Sequence, residues 1–336
     1  MKIVIFEVED WERQTFEALT SEEQQELEFV HEPLTAENAK EHADAEIVST
    51  FIYSDMDKDV LQQFGNLKMI ATRSTGYDHI DLDYCNEQGV VVANVPTYGD
   101  NTVAEHVFGL LLSISHKLPT AIYQTRMGDF SQRNLQGFDL RQKTMGVIGT
   151  GSIGEHVIRI AKGFEMEVAA FDVKPRKDLA DELGFCYGSL EEVLYGADVV
   201  TLHVPANPKT RHMISEREFK LMKDGVVLIN TARGEIVDNE ALLHALASGK
   251  VAAAGLDVLP EEPVIREEAE LLRSVFRKTH NLDTLLVNHI LLRMRNVIIT
   301  PHSAFNTREA IQRIIDTTIR NIRGFLEDSP QNQVNG

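Results

Sequence analysis

A turn with three glycines constrains the fold of this chain more than any other feature. Gly149, Gly151 and Gly154 form a G-x-G-x-x-G pattern that follows an apolar stretch at residues 145–148. Such a pattern permits a tight turn, lets the backbone approach a pyrophosphate, and lets the following helix pack closely on the sheet with its N-terminal amides directed at phosphate. The turn therefore predicts a strand–turn–helix unit that binds a dinucleotide.

Asp172 supports this prediction by its position. It ends the next apolar stretch, 18 residues after Gly154. A carboxylate roughly 20 residues beyond such a turn binds the ribose 2′-hydroxyl. Because a carboxylate repels a 2′-phosphate, the sequence favours NAD over NADP. The basic residues Lys174, Arg176 and Lys177 follow closely and weaken that preference.

Short apolar stretches alternate with polar, helix-compatible segments along the whole chain. They lie at residues 3–6, 47–52, 67–71 and 90–92, and then at 145–148, 168–171, 199–204, 226–229, 252–256 and 297–300. This alternation predicts parallel strands with crossover helices, and hence two doubly wound α/β domains. Thr102 and Glu105 have capping-box spacing, so a long helix is predicted from there to Leu118. A C-terminal helix is predicted over residues 311–322, and residues 329–336 are predicted to be frayed.

The composition excludes several classes of function. The 336 residues include 33 Lys or Arg and 52 Asp or Glu, a formal net charge of −19 that is unfavourable for binding nucleic acid. No stretch reaches the roughly 18 apolar residues of a membrane span, so no membrane association is predicted. Cys85 and Cys186 lack metal-ligand spacing. We therefore expect no metal and a reducing, cytoplasmic location.

Two further residues follow predicted strands, at the edge where open α/β sheets bind ligands. Arg233 could hold a carboxylate through two parallel hydrogen bonds, and an ordinary surface ion pair is an equal alternative. His302 could give and take a proton near working pH. A nearby carboxylate would keep that imidazole protonated, but spacing alone does not identify one.

Ordered motifs across nearly the whole chain are similar to those of one enzyme family. They occupy residues 73–81, 94–98, 102–106, 149–154, 231–234, 257–263 and 300–302. Together they resemble the D-isomer-specific 2-hydroxyacid dehydrogenase family, most closely its D-lactate dehydrogenase branch. The resemblance implies a Rossmann NAD-binding domain of residues 99–303, inserted into a flavodoxin-like substrate domain of residues 1–98 and 304–336. It also implies a homodimer formed through the cofactor domains.

The resemblance assigns roles to individual residues. Arg233 matches the substrate-binding arginine, His302 the acid/base, and Glu262 the carboxylate that pairs with that histidine. The implied cofactor-binding residues are Val103, Gly149, Gly151, Ser152, Ile153, Gly154, Asp172, Val204, Pro205, Thr210, Thr231, Ala232, Arg233 and Asp257. The implied substrate-binding residues are Phe51, Tyr53, Thr75, Gly76, Tyr98 and Arg233. For the three aromatic residues, ordinary core packing is the alternative.

The implied activity is the NAD-dependent interconversion of a small 2-oxo acid and its D-2-hydroxy acid. Pyruvate and D-lactate are the leading pair. Hydroxypyruvate, glyoxylate, bulkier 2-oxo acids and oxidation of a small inorganic or one-carbon anion are alternatives within the fold, and a dinucleotide-sensing scaffold for protein partners is the alternative from another class. Ser152 stands where many family members have Arg or His. The segment of residues 264–296 is longer than the corresponding segment in the phosphoglycerate dehydrogenase branch.

Overall fold

The computed structural model describes residues 1–19, 25–260 and 282–335. The chain folds into two compact units, Met1–Tyr98 with Thr307–Gly336, and Gly99–Asn306. Each unit has its own parallel sheet and its own apolar core. Glu262, the implied partner of His302, lies outside the described residues.

The described part of the first unit contains a five-stranded parallel sheet. Its strands are β1 (Lys2–Ile5), β2 (Glu26–Phe29), β3 (Ile47–Thr50), β4 (Met69–Thr72) and β5 (Val91–Ala93). Their order is β2-β1-β3-β4-β5, so the strand order reverses between β1 and β3. Every residue of β3 and β4 is buried, as expected for strands covered on both faces.

The described part of the second unit contains a seven-stranded parallel sheet. Its strands are β6 (Thr144–Ile148), β7 (Glu167–Phe171), β8 (Cys186–Tyr187), β9 (Val199–Leu202), β10 (Val226–Asn230), β11 (Val251–Leu256) and β12 (Val297–Ile299). The order β12-β11-β10-β9-β6-β7-β8 reverses between β6 and β9. Open sheets of this kind bind ligands beyond the carboxyl ends of the strands at such a reversal.

Helices connect most of the strands and cover the sheets. They are α1 (Asp10–Phe16), α2 (Lys58–Leu61), α3 (Leu82–Gln88), α4 (Asp100–Ser115), α5 (Leu118–Arg126), α6 (Ser152–Gly163), α7 (Lys177–Leu183), α8 (Leu190–Gly196), α9 (Glu216–Leu221), α10 (Asn239–Ser248), α11 (Leu282–Leu291) and α12 (Arg308–Leu326). The isoleucine stripe of α12, which includes Ile315 and Ile322, packs in one cluster with Ile3 and Ile5 of β1. In the part of the chain that the structure describes, no helix combines the length and apolarity needed to cross a membrane.

The predicted fold class, two parallel α/β sheets, is confirmed, although the sequence pattern misses two strands. These are β2 and β8, which lie at edges of their sheets. An edge strand is covered less than a central one, so it does not need a continuous apolar run. In β2 the charged Glu26 and Glu28 alternate with Leu27 and Phe29, and none of the four is fully buried.

The predicted start of the long helix is wrong. Helix α4 begins at Asp100, after Gly99, and ends at Ser115 rather than at Leu118. Thr102 therefore lies inside the first turn with a buried side chain, where it cannot act as the cap. The Glu105 carboxylate instead accepts a hydrogen bond from the Asn101 side chain.

The prediction of a frayed C-terminus is also wrong. The Val334 amide donates to the carbonyl of Val92 in β5 (2.9 Å). The side-chain oxygen of Asn335 accepts a hydrogen bond from the Val92 amide (2.7 Å). A free strand edge presents unpaired backbone groups. The polar tail pairs with them, which a sequence pattern based on apolar residues does not detect.

Candidate active site

The glycine turn after β6 has the geometry that close backbone packing requires. Gly149 has φ of 95°, and a Cβ there would lie 2.5 Å from the carbonyl oxygen of His203, which follows β9. A Cβ on Gly154 would overlap the carbonyl oxygen of Gly149, so helix α6 approaches the turn closely. Around Gly151, by contrast, the same position is open to 4 Å. The turn thus leaves space for a phosphate beside the N-terminus of α6, where Ser152 and Ile153 lie.

Asp172, just past β7, lies next to this turn. Its Oδ2 accepts hydrogen bonds from the amide (2.7 Å) and hydroxyl (3.0 Å) of Thr150, and its Oδ1 accepts one from the Lys174 amide (2.8 Å). Burial alone raises the pKa of the Asp172 carboxyl, but the hydrogen bonds outweigh it and hold that pKa below its ordinary value. The carboxylate is therefore ionised where a ribose is expected. Among the nearby basic residues, Arg176 donates to the Thr150 carbonyl (2.7 Å) and to Glu155 (3.0 Å).

We expect Asp172→Ser to raise the ratio of kcat/KM for NADPH to that for NADH by about tenfold or more, because an ionised carboxylate that repels a 2′-phosphate is removed. The measurement is initial rates with each reduced cofactor. Asp178→Ser removes the same charge from an exposed position in α7 and serves as the control. An unchanged ratio in Asp172→Ser would exclude a role for this carboxylate in cofactor choice.

Several other residues predicted to bind cofactor surround the ends of β9 and β10. Val204 and Pro205 lie in the segment after β9. The Thr210 hydroxyl donates to the Pro205 carbonyl (2.6 Å) and stabilises this segment. Val103 is buried in the first turn of α4. Thr231 Oγ1 is buried and has no hydrogen-bond partner among the described residues. A polar ligand atom would satisfy that hydroxyl, so the donor set and the glycine turn together fit a bound dinucleotide.

Arg233 follows β10, and both its backbone and its side chain form hydrogen bonds with neighbouring residues. Its carbonyl accepts a hydrogen bond from the Asn230 side chain (2.9 Å), and its Nη1 donates to the carbonyl of Ala232 (2.8 Å). A Cβ on the next residue, Gly234, would overlap the backbone at Leu259. That close approach explains the glycine that follows the arginine.

His302 lies in a loop that Asp257 organises. The His302 residue itself has φ of 50°, in the left-handed region, and its amide donates to the Asp257 carbonyl (2.9 Å). The carboxylate of Asp257 accepts the amides of Ser303 and Ala304 (both 2.9 Å) and the hydroxyl of Thr300 (2.5 Å). Asp257 is only 1% exposed. This buried anion therefore sets the backbone conformation that carries the candidate acid/base.

His106 completes the same cluster, and sequence reasoning missed it. Its Nε2 lies 3.0 Å from Thr300 Oγ1 and 3.4 Å from Asp257 Oδ1. The one hydroxyl proton of Thr300 goes to Asp257, so the His106 Nε2 donates to Thr300. Burial alone raises the pKa of the Asp257 carboxyl, but the nearby His106 ring, the Thr300 hydroxyl and the two amides outweigh it and lower that pKa. The available signal was the position of His106 inside the 102–106 motif.

The first unit holds the other predicted substrate residues at the carboxyl edge of its own sheet. Phe51 and Tyr53 follow β3, with ring centroids 6.0 Å apart in an edge-to-face arrangement. After β4, the Thr75 hydroxyl donates to the Val95 carbonyl (2.8 Å), and the carbonyl of Gly76 accepts a hydrogen bond from the hydroxyl of Ser74 (2.5 Å). The carbonyl of Tyr98 accepts a hydrogen bond from Arg313. In the second unit, the glycine turn, Thr231, Arg233, Asp257 and His302 likewise follow the carboxyl ends of their strands.

Comparison with known proteins connects this arrangement to one family. Residues 108–304 match the family model described as D-isomer specific 2-hydroxyacid dehydrogenase, NAD binding domain. The D-lactate dehydrogenase of Escherichia coli K12 is 35% identical over 326 residues, 96% of each chain. An aromatic 2-oxoacid reductase of Clostridium sporogenes is 38% identical over 272 residues, 80% of this chain and 78% of that protein. The crystal structure of Aquifex aeolicus D-lactate dehydrogenase, complexed with NAD and lactic acid, matches with a TM-score of 0.86 at 34% identity over 99% of both chains.

Proposed function

This chain belongs to the D-isomer specific 2-hydroxyacid dehydrogenase family, an NAD-dependent oxidoreductase family, and we propose that its own substrate pair is pyruvate and D-lactate. The observation that carries the proposal is the placement of Arg233 and His302 after β10 and β12, with the buried Asp257 after β11 between them. That arrangement offers a carboxylate-binding cation and a proton donor at one edge of a cofactor-binding sheet. The similarity to D-lactate dehydrogenases over nearly the whole chain supports the choice of pyruvate.

In the proposed reaction, each side chain has a distinct task. When bound, the reduced nicotinamide supplies the hydride. Arg233 binds the carboxylate of the 2-oxo acid through two charge-assisted hydrogen bonds and so orients its carbonyl. His302 donates a proton to the oxygen on which negative charge develops, and the proposed role of Glu262 is to keep that imidazole protonated. Holding the reacting groups in place removes much of the entropic barrier.

We also propose a separate role for each of the two units. The Gly99–Asn306 unit would bind the cofactor through the glycine turn and Asp172. The other unit is the proposed substrate domain, and its loops after β3 and β4 carry the aromatic pair and Thr75. Backbone amides in such loops bind carboxylates well because they are fixed dipoles.

The substrate assignment is tested by a panel of 2-oxo acids with NADH. We expect kcat/KM to be highest for pyruvate among pyruvate, hydroxypyruvate, glyoxylate and phenylpyruvate. Phenylpyruvate is the strongest competitor because an aromatic 2-oxoacid reductase is 38% identical to this chain over 272 residues. A higher value for any of the other three would overturn the lactate assignment. Binding of NADH without turnover of any 2-oxo acid would instead favour the scaffold hypothesis.

The proposed homodimer has a candidate surface on the second unit. Helix α5 has no buried residue. Helix α5 and the residues that follow it expose large apolar side chains, which together we call the α5 surface. These side chains belong to Leu118, Ile122, Tyr123, Met127 and Phe130. Phe130 is 81% exposed and Met127 70%. Apolar side chains clustered in this way mark protein interfaces more often than free surface.

We expect Tyr123→Glu to weaken the dimer, because it places a charge in the middle of the α5 surface. Light scattering at several protein concentrations should give a lower average mass than for the unaltered chain. Tyr195→Glu makes the same change at another exposed tyrosine, on α8, and should leave the mass unaltered. If both variants kept the mass of the unaltered chain, the α5 surface would not be the interface.

A cytoplasmic location is part of the same proposal. Cys85 and Cys186 are both unpaired, and Cys186 is exposed. An exposed free thiol is typical of proteins kept in a reducing compartment. Fractionation of cells that produce the protein would test this location.

A further inference from the structure

The carboxylate of Glu7 lies at the point where the strand order of the first sheet reverses. The residues just beyond β1 and β3 meet there, because these strands are neighbours and the order runs to opposite sides from them. In open α/β sheets this is the position of the ligand crevice. Glu7 follows β1, and the loop of residues 51–54 follows β3.

Glu7 binds that loop through three hydrogen bonds. Its Oε2 accepts the Phe51 amide (2.8 Å) and the Ser54 hydroxyl (2.5 Å), and its Oε1 accepts the Tyr53 amide (2.9 Å). Ser54 is buried, and its hydroxyl oxygen accepts the Leu34 amide (2.9 Å). One side chain therefore binds three of four consecutive residues.

The backbone of Glu7 is itself held in an unfavourable conformation. Its φ is 53°, in the left-handed region that non-glycine residues rarely adopt. Arg73, only 2% exposed, donates from Nη2 to the carbonyls of Phe6 and Glu7 (both 2.6 Å), and its guanidinium lies over the ring of Phe16. Strained residues persist where surrounding contacts over-determine them, and they concentrate at ligand sites.

The loop held in this way carries the two aromatic rings proposed to contact substrate. Phe51 and Tyr53 contact each other edge to face, with their planes at 88°. Because Glu7 binds both of their amides, the position of both rings depends on its carboxylate. A substrate side chain that meets these rings is thus limited in size by a residue that need not touch it.

We propose that Glu7 is a positioning residue that sets substrate specificity by fixing the aromatic loop of residues 51–54. The inference rests on the proposed function for the identity of the substrate, a short-chain 2-oxo acid. Fixed rings exclude bulky side chains, whereas a loop that has lost its anchor can yield to them. Glu7 should therefore affect the choice between substrates more than the rate of the chemical step.

The test compares Glu7→Gln with the unaltered chain. The amide cannot accept all three hydrogen bonds, so we expect the ratio of kcat/KM for phenylpyruvate to that for pyruvate to rise about tenfold, mainly through KM. The dissociation constant for NADH should not change. Glu32→Gln, at an exposed carboxylate on the residue whose backbone carbonyl accepts the Glu7 amide (3.3 Å), is the matched control and should leave the ratio unaltered. If Glu7 had only a structural role, Glu7→Gln would lower kcat/KM for phenylpyruvate and kcat/KM for pyruvate together.

Ser54→Ala provides a second variant that keeps Glu7 and removes one donor. It should shift the ratio in the same direction by a smaller factor, and it remains informative if Glu7→Gln does not fold. Folded variants with an unchanged ratio would overturn the proposal. If the unaltered chain reduced no 2-oxo acid, the proposed function would fail separately. Hydrogen exchange of the Phe51 and Tyr53 amides would then decide about Glu7, since faster exchange in Glu7→Gln supports the anchor and equal exchange refutes it.

Discussion

Replacing His302 by Asn should lower kcat for 2-oxo acid reduction by at least about a hundredfold, the usual contribution of a positioned general acid. Asparagine is the suitable replacement because it tolerates a positive φ better than most residues, and His302 has φ of 50°. The loop itself should persist. Asp257 holds it through the amides of Ser303 and Ala304, which the substitution leaves in place.

The measurement is steady-state kinetics with pyruvate and NADH, together with NADH binding by fluorescence. NADH affinity should be retained, because Asp257 still anchors the loop backbone through its carbonyl and its carboxylate. His244→Asn, at an exposed position of α10, is the control and should leave kcat unaltered. A His302→Asn enzyme with nearly full kcat would show that another group supplies the proton.

Replacing Arg233 by Lys should lower kcat/KM for the 2-oxo acid by about 10- to 100-fold. Lysine keeps the positive charge but cannot form two parallel hydrogen bonds to one carboxylate. Each such charge-assisted bond contributes about 1.5 to 3 kcal/mol, so the loss of one of the two bonds accounts for the expected factor. The backbone of Arg233 should stay in place because Asn230 binds its carbonyl.

Initial rates over a range of pyruvate concentrations would measure this effect. Arg217→Lys makes the same exchange at an exposed ion pair with Glu191 and should have little effect, since such pairs contribute little energy. Saturation by pyruvate at ordinary concentrations in Arg233→Lys would mean that the guanidinium does not bind the carboxylate. In that case the loop after β4, at Thr75, would become the leading candidate for the carboxylate site.

Some features of the site depend on local chemistry and could be predicted from the sequence. The three glycines of the turn are required by close backbone approach, and Gly149 does have φ of 95° beside His203. Asp172 could be predicted because its spacing from the turn is set by one helix and one strand. Central strands could be predicted because both of their faces are buried, which demands a continuous apolar run.

Other features depend on residues far apart in the chain. His106 and Asp257 belong to a short motif each, but nothing in either motif indicates that they share the Thr300 hydroxyl. Glu7 has no motif, and its contacts with residues 51–54 arise only because β1 and β3 are neighbours in the sheet. The polar tail at Asn335 is predicted from sequence to be frayed, and only the structure shows that it pairs with the edge of β5.

The sequence by itself determined the fold class, the dinucleotide turn and the chemical types of the candidate residues, because each follows from periodicity or from spacing within one strand–helix unit. Only the tertiary structure decided how those residues are held. It makes the buried Asp257 the acceptor that sets the His302 loop, and it makes Glu7 the anchor of the aromatic loop. The physical reason is that a carboxylate removed wholly or partly from water must find several donors, and the donors come from whichever strands the fold brings together.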